Sequence, residues 1–290
     1  MHKPQGLFGT ICVALGAMGW GTWALFVRGR DLAPVWLSAM ILVVIAACSL
    51  PLALTGKGRP HQSPRPARMW WLLALLGFFD AGNYILYFGA VQRGPLAVAV
   101  LTHYLAPVVV AVAAPLVLKE RLGARTPVAL AISLGGLVLL VLGAGGFTGH
   151  AGTTALLGGG SAFFYGANTL LSKKLFTDFS LLEVLGWHVL VSALLLVVVA
   201  QVQCLPMPPV ALFLWKPLLG AVLLGVGCAV LFYLGLDRIP AQRAAVLTYL
   251  EPVVAALVGF VWFAEPLSPL GLAGMALIVA SGVAVALQDG

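Results

Sequence analysis

Two stretches of this chain read almost alike: Tyr104-Leu105-Ala106-Pro107-Val108-Val109 and, 145 positions later (249 − 104), Tyr249-Leu250-Glu251-Pro252-Val253-Val254. Further pairs keep the same offset; they are Trp20 with Tyr165, Gly21 with Gly166, Arg93 with Arg238, Pro95 with Pro240 and Glu120 with Glu265. The offset is half of the 290-residue length, which indicates an internal duplication. We therefore predict two homologous units, residues 1–145 and 146–290.

The composition places both units in a membrane. Hydrophobic residues make up 61% of the chain and charged residues only 9%, which is more apolar surface than a soluble fold can bury. The apolar runs have the length of a membrane-spanning helix, about 20 residues, whereas barrel strands are alternating segments of about 10 residues. Helices also satisfy their own backbone groups in lipid. The sequence predicts an all-α integral membrane protein.

Charged, proline and glycine residues divide the chain into ten predicted helices, five in each half. They cover about 7–27, 33–54, 69–90, 95–118, 126–145, 153–174, 181–201, 213–236, 241–263 and 268–287. The longest connection, residues 55–68, is too short to form a soluble domain. We therefore expect the function to reside within the membrane.

The basic residues predict the orientation. If the N-terminus is cytoplasmic, twelve of the 16 Lys and Arg residues fall on the inner side: Lys3, Lys57, Arg59, Arg65, Arg68, Lys119, Arg121, Arg125, Lys173, Lys174, Arg238 and Arg243. The outer side has Arg28, Arg30, Arg93 and Lys216. This bias favours cytoplasmic termini and a multi-pass protein of the cytoplasmic (inner) membrane. Because each half has an odd number of helices, the second half is inverted, as in many secondary transporters.

A second repeated pattern carries a family resemblance. In each half a proline is followed thirteen residues later by a glutamate: Pro107 by Glu120, and Pro252 by Glu265. Together with Gly19-Trp20-Gly21-Thr22 in the first helix, this pattern resembles the EamA family of the drug/metabolite transporter superfamily. The resemblance covers essentially the whole chain. It implies membrane transport of a small organic solute and leaves the substrate open.

The paired prolines and glutamates are candidate gating residues. Pro107 and Pro252 each remove a backbone hydrogen bond in mid-helix, so we expect kinks that face a cavity. A fixed bend for packing is the alternative. Glu120 and Glu265 end helices, where the macrodipole disfavours negative charge. We expect Lys119, Arg121 or Arg125 to compensate Glu120, and Glu265 to reach Ser268 or an outer basic residue.

Polar and aromatic residues inside the helices are the candidate substrate contacts. Ionisable groups are costly in hydrocarbon, so Asp80, His103, His188 and Glu251 should face protein or water. The predicted substrate-binding residues are Trp20, Trp23, Asp80, Asn83, Tyr84, His103, Tyr165, Asn168, Trp187 and Glu251. Tyr104 is expected to point away from His103. Aromatic faces and carboxylates attract ammonium groups, which favours an amine-bearing or amino-acid-like solute.

Aromatic residues close to the predicted helix ends are typical of a membrane-interface belt. We assign to this belt Trp36, Trp70, Trp71 and Trp215. The cavity lining predicted for the deeper aromatics competes with plain core packing.

The sequence predicts secondary active transport by alternating access, with export slightly favoured on the resemblance. Import or facilitated uptake of a nutrient such as a quaternary amine, and multidrug efflux, remain open. No cofactor is expected, although Asp80 or His103 could exchange a proton. We expect no metal site, because the four cysteines, Cys12, Cys48, Cys204 and Cys228, have no C-x-x-C spacing.

Other classes fit less well. An enzyme would need an acidic pyrophosphate motif, H-E-x-x-H or a Ser/His/Asp set, and none is present. A channel would be expected to show rings of like residues, whereas these polar groups are single. The net charge of +7 lies at membrane-adjacent loops, so lipid headgroups are the expected partners and nucleic acid is not. Monomer and homodimer both remain possible.

Overall fold

The computed structural model describes residues 3–28, 33–55, 66–93, 96–121, 123–144 and 151–287. Within these ranges the regular structure is helical. The helices of the first half are α1 (Lys3–Trp20), α2 (Ala24–Val27), α3 (Pro34–Leu54), α4 (Ala67–Arg93), α5 (Leu96–His103), α6 (Ala106–Val117) and α7 (Thr126–Gly143). Those of the second half are α8 (Ala151–Leu175), α9 (Leu181–Val202), α10 (Val210–Phe213), α11 (Lys216–Gly220), α12 (Ala229–Arg238), α13 (Ala241–Leu247), α14 (Leu250–Phe263) and α15 (Pro269–Ala286). A π-helical segment, Ala221–Cys228, joins α11 to α12.

Nine helical segments in the described part of the chain are long and apolar enough to cross a membrane. They are Gly6–Val27, Pro34–Leu54, Ala67–Arg93, Val98–Val117, Thr126–Gly143, Leu181–Val202, Lys216–Arg238, Ala241–Phe263 and Pro269–Ala286. The predicted sixth span, α8, is 25 residues long and is not among the nine. Its sequence is rich in glycine and polar residues, which lowers its hydropathy.

Three predicted helices are interrupted. The first, predicted over 7–27, contains a turn at 21–23 between α1 and α2. The helices predicted over 95–118 and 241–263 are each broken, at Tyr104-Leu105 and at Thr248-Tyr249. The first break lies two to three residues before Pro107 and the second three to four residues before Pro252, so each repeated proline stands in the first turn of a new helix and not in mid-helix. The expectation of mid-helix kinks was wrong in this respect, because proline has no N–H for the carbonyl four residues earlier.

Helix packing repeats between the two halves. At the 145-residue offset α1 corresponds to α8, α4 to the α11–α12 segment, and α6 to α14. The contacts follow this correspondence: α1 packs on α12 as α8 packs on α4, and α1 packs on α14 as α8 packs on α6. Two further pairs, α3 with α9 and α7 with α15, join corresponding helices directly.

Glycine permits the closest of these approaches. A Cβ atom at Gly21 would lie 2.5 Å from the Glu251 carbonyl oxygen and 2.7 Å from Cβ of Val254. The equivalent Gly166 would place its Cβ 2.8 Å from the Val109 side chain. Val109 and Val254 are themselves repeat equivalents. The duplicated glycines therefore mark a duplicated contact.

The tryptophans expected at the membrane interface divide into two groups. Trp70, Trp71 and Trp215 are exposed on the protein surface. Trp36 is buried, and its indole N–H donates to the Leu205 carbonyl oxygen at 3.3 Å. Its assignment to the belt was wrong, since the connection after α9 covers it.

A matched pair of adjacent glycines tests the packing of α7 on α15. A Cβ at Gly136 would lie 2.6 Å from the Gly274 carbonyl oxygen, whereas nothing lies within 4 Å of one at Gly135. We expect Gly136→Ala to destabilise the protein by about 1–3 kcal/mol through overpacking. Gly135→Ala should leave the thermal unfolding midpoint of the detergent-purified protein unchanged or slightly raised. Equal midpoints for the two variants would contradict this close helix contact.

Candidate functional site

Four aromatic rings meet at the break between α5 and α6. His103, the last residue of α5, stacks on Tyr165 of α8 at a centroid distance of 5.4 Å and an interplanar angle of 9°. The ring centroid of Tyr87 in α4 lies 4.4 Å from that of the imidazole, and the two ring planes are tilted by 42°. Tyr104 approaches edge-on at 5.4 Å. We call these four residues the His103 cage; the expectation that Tyr104 points away was wrong because the helix ends at His103.

Hydrogen bonding defines the tautomer of His103. The Ser161 hydroxyl donates its hydrogen to the Gly158 carbonyl oxygen at 2.7 Å. Ser161 Oγ must therefore accept from His103 Nδ1, which lies 2.9 Å away. This leaves Nε2 as the nitrogen available to a ligand or a proton.

Glu251 of the second half lies at the edge of the His103 cage. It lies beside Tyr104 and within electrostatic range of Tyr84, Tyr87 and Tyr165. Glu251 occupies the first turn of α14, where the positive end of the helix dipole favours a carboxylate. The break before α14 thus places a carboxyl group at the edge of the cage.

Four buried polar atoms have no hydrogen-bond partner within the described structure. They are Asp80 Oδ2, Asn83 Oδ1, Asn168 Nδ2 and Ser192 Oγ. The first two belong to α4, and their neighbours α8 and α9 supply the others. Unsatisfied buried polar atoms cost about 1–3 kcal/mol each, so they point to a ligand or to water. Of these residues, Ser192 was not predicted from the sequence.

Three predicted contacts lie in other surroundings. The Trp20 indole donates to the Leu224 carbonyl oxygen at 3.1 Å and packs on Phe232 at 5.0 Å. Trp23 packs over Gly220. Trp187 packs edge-on against Trp70 at 5.8 Å. These side chains therefore have packing partners of their own, and the structure does not bring them into the His103 cage.

Each predicted gating glutamate pairs with a basic residue. Glu120 Oε1 lies 2.7 Å from Lys173 Nζ at the end of α8, and Oε2 accepts from the Ala241 N–H at 2.8 Å. Lys173 also donates to the Ile239 carbonyl oxygen. The expected partners Lys119, Arg121 and Arg125 were wrong, because the Glu120 side chain turns to the second half.

The second ion pair occupies the equivalent place. Glu265 Oε1 lies 2.6 Å from Arg28, whose guanidinium covers the Phe263 ring at 4.2 Å. The predicted contact of Glu265 with a basic residue is thus present. Arg28 and Lys173 are themselves separated by 145 positions, a signal in the sequence that would have identified both partners.

Helices from both halves also line a small, partly open pocket of about 10 Å³. Its lining residues are Ala106, Pro107, Val110, Tyr165, Thr169, Phe232, Ala245 and Thr248. This space admits at most about one water molecule. Among the described residues no group of three His, Cys, Asp or Glu side chains could hold a metal ion.

Comparison with known proteins agrees with this architecture. A solved crystal structure of a protein has a similar fold, with a TM-score of 0.79 at 24% identity, and the match covers 97% of this chain and 99% of the other. An uncharacterized transporter from Archaeoglobus fulgidus is 32% identical over 287 residues, 97% of each chain. The model of the EamA-like transporter family matches residues 7–142 and again residues 152–287. The chain is therefore a membrane transporter, not an enzyme, and belongs to the EamA-like family of the drug/metabolite transporter superfamily.

Proposed function

We propose that this protein is a secondary active transporter that moves an amine-bearing or amino-acid-like solute by alternating access, with export as the favoured direction. Its units are residues 1–145 and 146–290, inverted relative to each other in the inner membrane, with both termini cytoplasmic. The α8 helix serves as the tenth span, since 25 residues extend about 37 Å at 1.5 Å per residue. The duplicated helix packing supports this arrangement.

The observation that carries the proposed substrate class is the chemistry of the protein's centre. Glu251 and Asp80 contribute carboxylates, while Tyr87, Tyr165 and His103 contribute aromatic faces. An ammonium group gains from both, by about 0.5–2 kcal/mol for each desolvated aromatic face. A phosphorylated or otherwise anionic solute would meet like charge at both carboxylates.

The two ion pairs support the alternating-access mechanism. Under the proposed orientation Glu120–Lys173 lies on the cytoplasmic side and Glu265–Arg28 on the outer side. Each pair joins the end of one broken helix to a helix of the other repeat. Breaking one pair while keeping the other would open the centre to one side only.

The first test measures binding of amines and of matched solutes that lack the amine. Purified protein would be titrated with choline against 3,3-dimethylbutanol, and with phenylalanine against 3-phenylpropionate. Glu251→Gln and Asp80→Asn should each weaken amine binding about tenfold or more, because a charge-assisted contact contributes about 1.5–3 kcal/mol. Asp237→Asn, the same change at an exposed position, is the control. Equal binding of each amine and its partner would refute the proposed substrate class.

The second test asks whether Glu120 holds the inner side closed. In Glu120→Gln the Lys173 pair is lost, so peptides covering α13 should exchange amide hydrogen faster in hydrogen–deuterium exchange. The repeat-equivalent variant Glu265→Gln should leave α13 unchanged and accelerate exchange near Gly259, whose carbonyl accepts from the Glu265 N–H. Unaltered α13 exchange in Glu120→Gln would contradict a gating role.

The third test concerns the helix break before Pro107. In Pro107→Ala the new N–H can bond to the His103 carbonyl and join α5 to α6. We expect several-fold slower counterflow of the bound amine in proteoliposomes, at unchanged expression. Pro115→Ala in the last turn of α6 is the control, since it lies nearly three turns beyond the break. If both variants transport at the same rate as the parent, the proline serves packing alone.

A further inference from the structure

The imidazole of His103 lies among the three tyrosines of the His103 cage. Its ring centroid is 4.4 Å from that of Tyr87, 5.4 Å from that of Tyr104 and 5.4 Å from that of Tyr165. A cation bound over an aromatic face lies within about 6 Å of the ring centroid, and cages of aromatic rings bind quaternary ammonium groups. The imidazole therefore lies where the three tyrosines would hold an ammonium group.

The space left beside the cage is small. Tyr165 borders the pocket of about 10 Å³, which holds about one water molecule. This pocket is too small for an ammonium-bearing solute, whereas the imidazole fills a larger space between the aromatic rings. An ammonium group would therefore contact all three tyrosines only after the imidazole had moved.

The second half contains the same aromatic positions without a histidine. At the 145-residue offset the cage residues correspond to three aromatic residues and a threonine: Tyr87 to Phe232, Tyr104 to Tyr249, Tyr165 to Trp20 and His103 to Thr248. Trp20 and Phe232 pack directly on each other at 5.0 Å. In the described part of the first half, Tyr87 and Tyr165 make no such ring contact, and each contacts the imidazole instead. Because protein interiors leave few voids, the rings close where threonine replaces histidine. His103 thus keeps the first cage open.

A hydrogen bond between side chains holds the imidazole in the cage. His103 Nδ1 donates to the Ser161 hydroxyl at 2.9 Å. The repeat equivalent of Ser161 is Gly16, so this bond, like the histidine, belongs to one half only. His103 is the last residue of α5 and directly precedes the break at Tyr104-Leu105. A small rearrangement of the break can therefore carry its side chain out of the cage.

Electrostatics favour a cation over the imidazole at this place. Glu251 lies beside Tyr104, and its side chain hydrogen-bonds to the phenol. An ammonium group within the cage would gain attraction from this carboxylate and from the aromatic faces. An uncharged imidazole gains neither. Binding of the solute can thus supply the free energy that releases His103 from Ser161.

We propose that His103 is a placeholder for the cationic group of the solute. Its imidazole fills the cage in the solute-free protein and leaves when an ammonium group enters. The hydrogen bond to Ser161 breaks in this exchange, and no covalent bond changes. The cage then takes a cationic group of about the size of an imidazole, such as trimethylammonium. The inference rests on the proposed function and makes His103 a displaceable occupant of the site, which selects the solute by what can replace it.

Binding of tetramethylammonium to the purified full-length protein tests the placeholder. In Ser161→Ala the imidazole is no longer held, so we expect binding to tighten about two- to tenfold, the equivalent of one hydrogen bond. In His103→Phe a ring without the N–H donor fills the cage, and binding should weaken several-fold. Thr10→Ala is the control, since it also removes a buried hydroxyl, one that bonds within α1 to the Gly6 carbonyl oxygen.

A fixed role of His103 as a wall of the site predicts the opposite signs. Loosening a wall residue through Ser161→Ala would weaken binding, and His103→Phe would keep an aromatic face and leave binding unchanged or tighter. Either of these results would overturn the placeholder. If Ser161→Ala does not fold, Ser161→Gly replaces it, because glycine is the residue at the equivalent position in α1.

Displacement of the imidazole can also be observed directly by NMR of the histidine ring protons. Stacked among tyrosines, the His103 resonance should carry a ring-current shift, and the His103→Phe variant assigns it. Saturating tetramethylammonium should move this resonance to the position of an unstacked histidine. His188 stacks on Tyr233 at 6.2 Å and lies beside Asp80, outside the cage, and it should keep its own ring-current shift.

The two experiments separate the placeholder from the proposed substrate class. If tetramethylammonium and choline bind neither the wild type nor any variant, the substrate class fails, and the placeholder fails with it. If they bind the wild type while the His103 resonance keeps its ring-current shift, the placeholder fails and the substrate class stands. Tighter binding by Ser161→Ala together with a displaced resonance would support both.

Discussion

The centre of this protein depends on how two broken helices satisfy their backbone groups in lipid. A membrane-spanning helix hydrogen-bonds its own carbonyls, and a proline removes one donor from that pattern. At the first break, Val108 N–H bonds to Leu105 and not to Tyr104. The Tyr249 hydroxyl donates to the Tyr104 carbonyl oxygen at 2.9 Å instead. Tyr104 and Tyr249 are repeat equivalents, so the two breaks meet face to face. Because the two breaks meet, the end of α5 at His103 lies close to the first turn of α14, which contains Glu251. The His103 cage and the Glu251 carboxylate are therefore brought together.

Residues that recur in both halves belong to the helix-packing scaffold, whereas the ionisable residues of the centre occur in one half only. Residues that recur in both halves make contacts that recur: Gly21 and Gly166 receive helices α14 and α6, and the two glutamates bind Arg28 and Lys173. The ionisable groups of the centre do not recur. At the 145-residue offset His103 corresponds to Thr248, Asp80 to Gly225 and Glu251 to Ala106. A symmetric scaffold can present its centre to either side, whereas an asymmetric set of charges can recognise a particular solute. The two halves have thus kept their packing in common and diverged at the site.

The helices were largely predictable, because the hydropathy of a single segment and its repeated counterpart are enough to identify a membrane-spanning helix. Helix limits such as Pro34–Leu54 and Leu181–Val202 agree with the predicted 33–54 and 181–201. The helix breaks lie on the N-terminal side of the prolines, whereas kinks were expected at the prolines themselves. The reason is that a proline lacks the N–H that would bond to a carbonyl oxygen in the preceding turn. Pairings between distant helices were harder. The apolar runs of α4 and α9 carry no information on their relative register, so the proximity of Asp80 to His188 required the structure. For Trp36, a helix-end position suggested the interface, but the covering loop decides its burial.

The two ion pairs are equivalent in sequence and unequal in environment. Side-chain exposure is 16% for Lys173 and 17% for Glu120, but 49% for Arg28 and 53% for Glu265. An exposed pair contributes about 0–1 kcal/mol and weakens with salt. A buried pair is costly to break singly, because separation leaves a poorly solvated charge on each side. Glu120 also accepts from the first N–H of α13, so moving Glu120 away from the second half would break two contacts on this side. Under the proposed orientation the outer side is therefore the easier one to open. Under the proposed mechanism, that inequality would favour an outward-open protein between cycles, and binding of the solute would supply the free energy for opening the inner side.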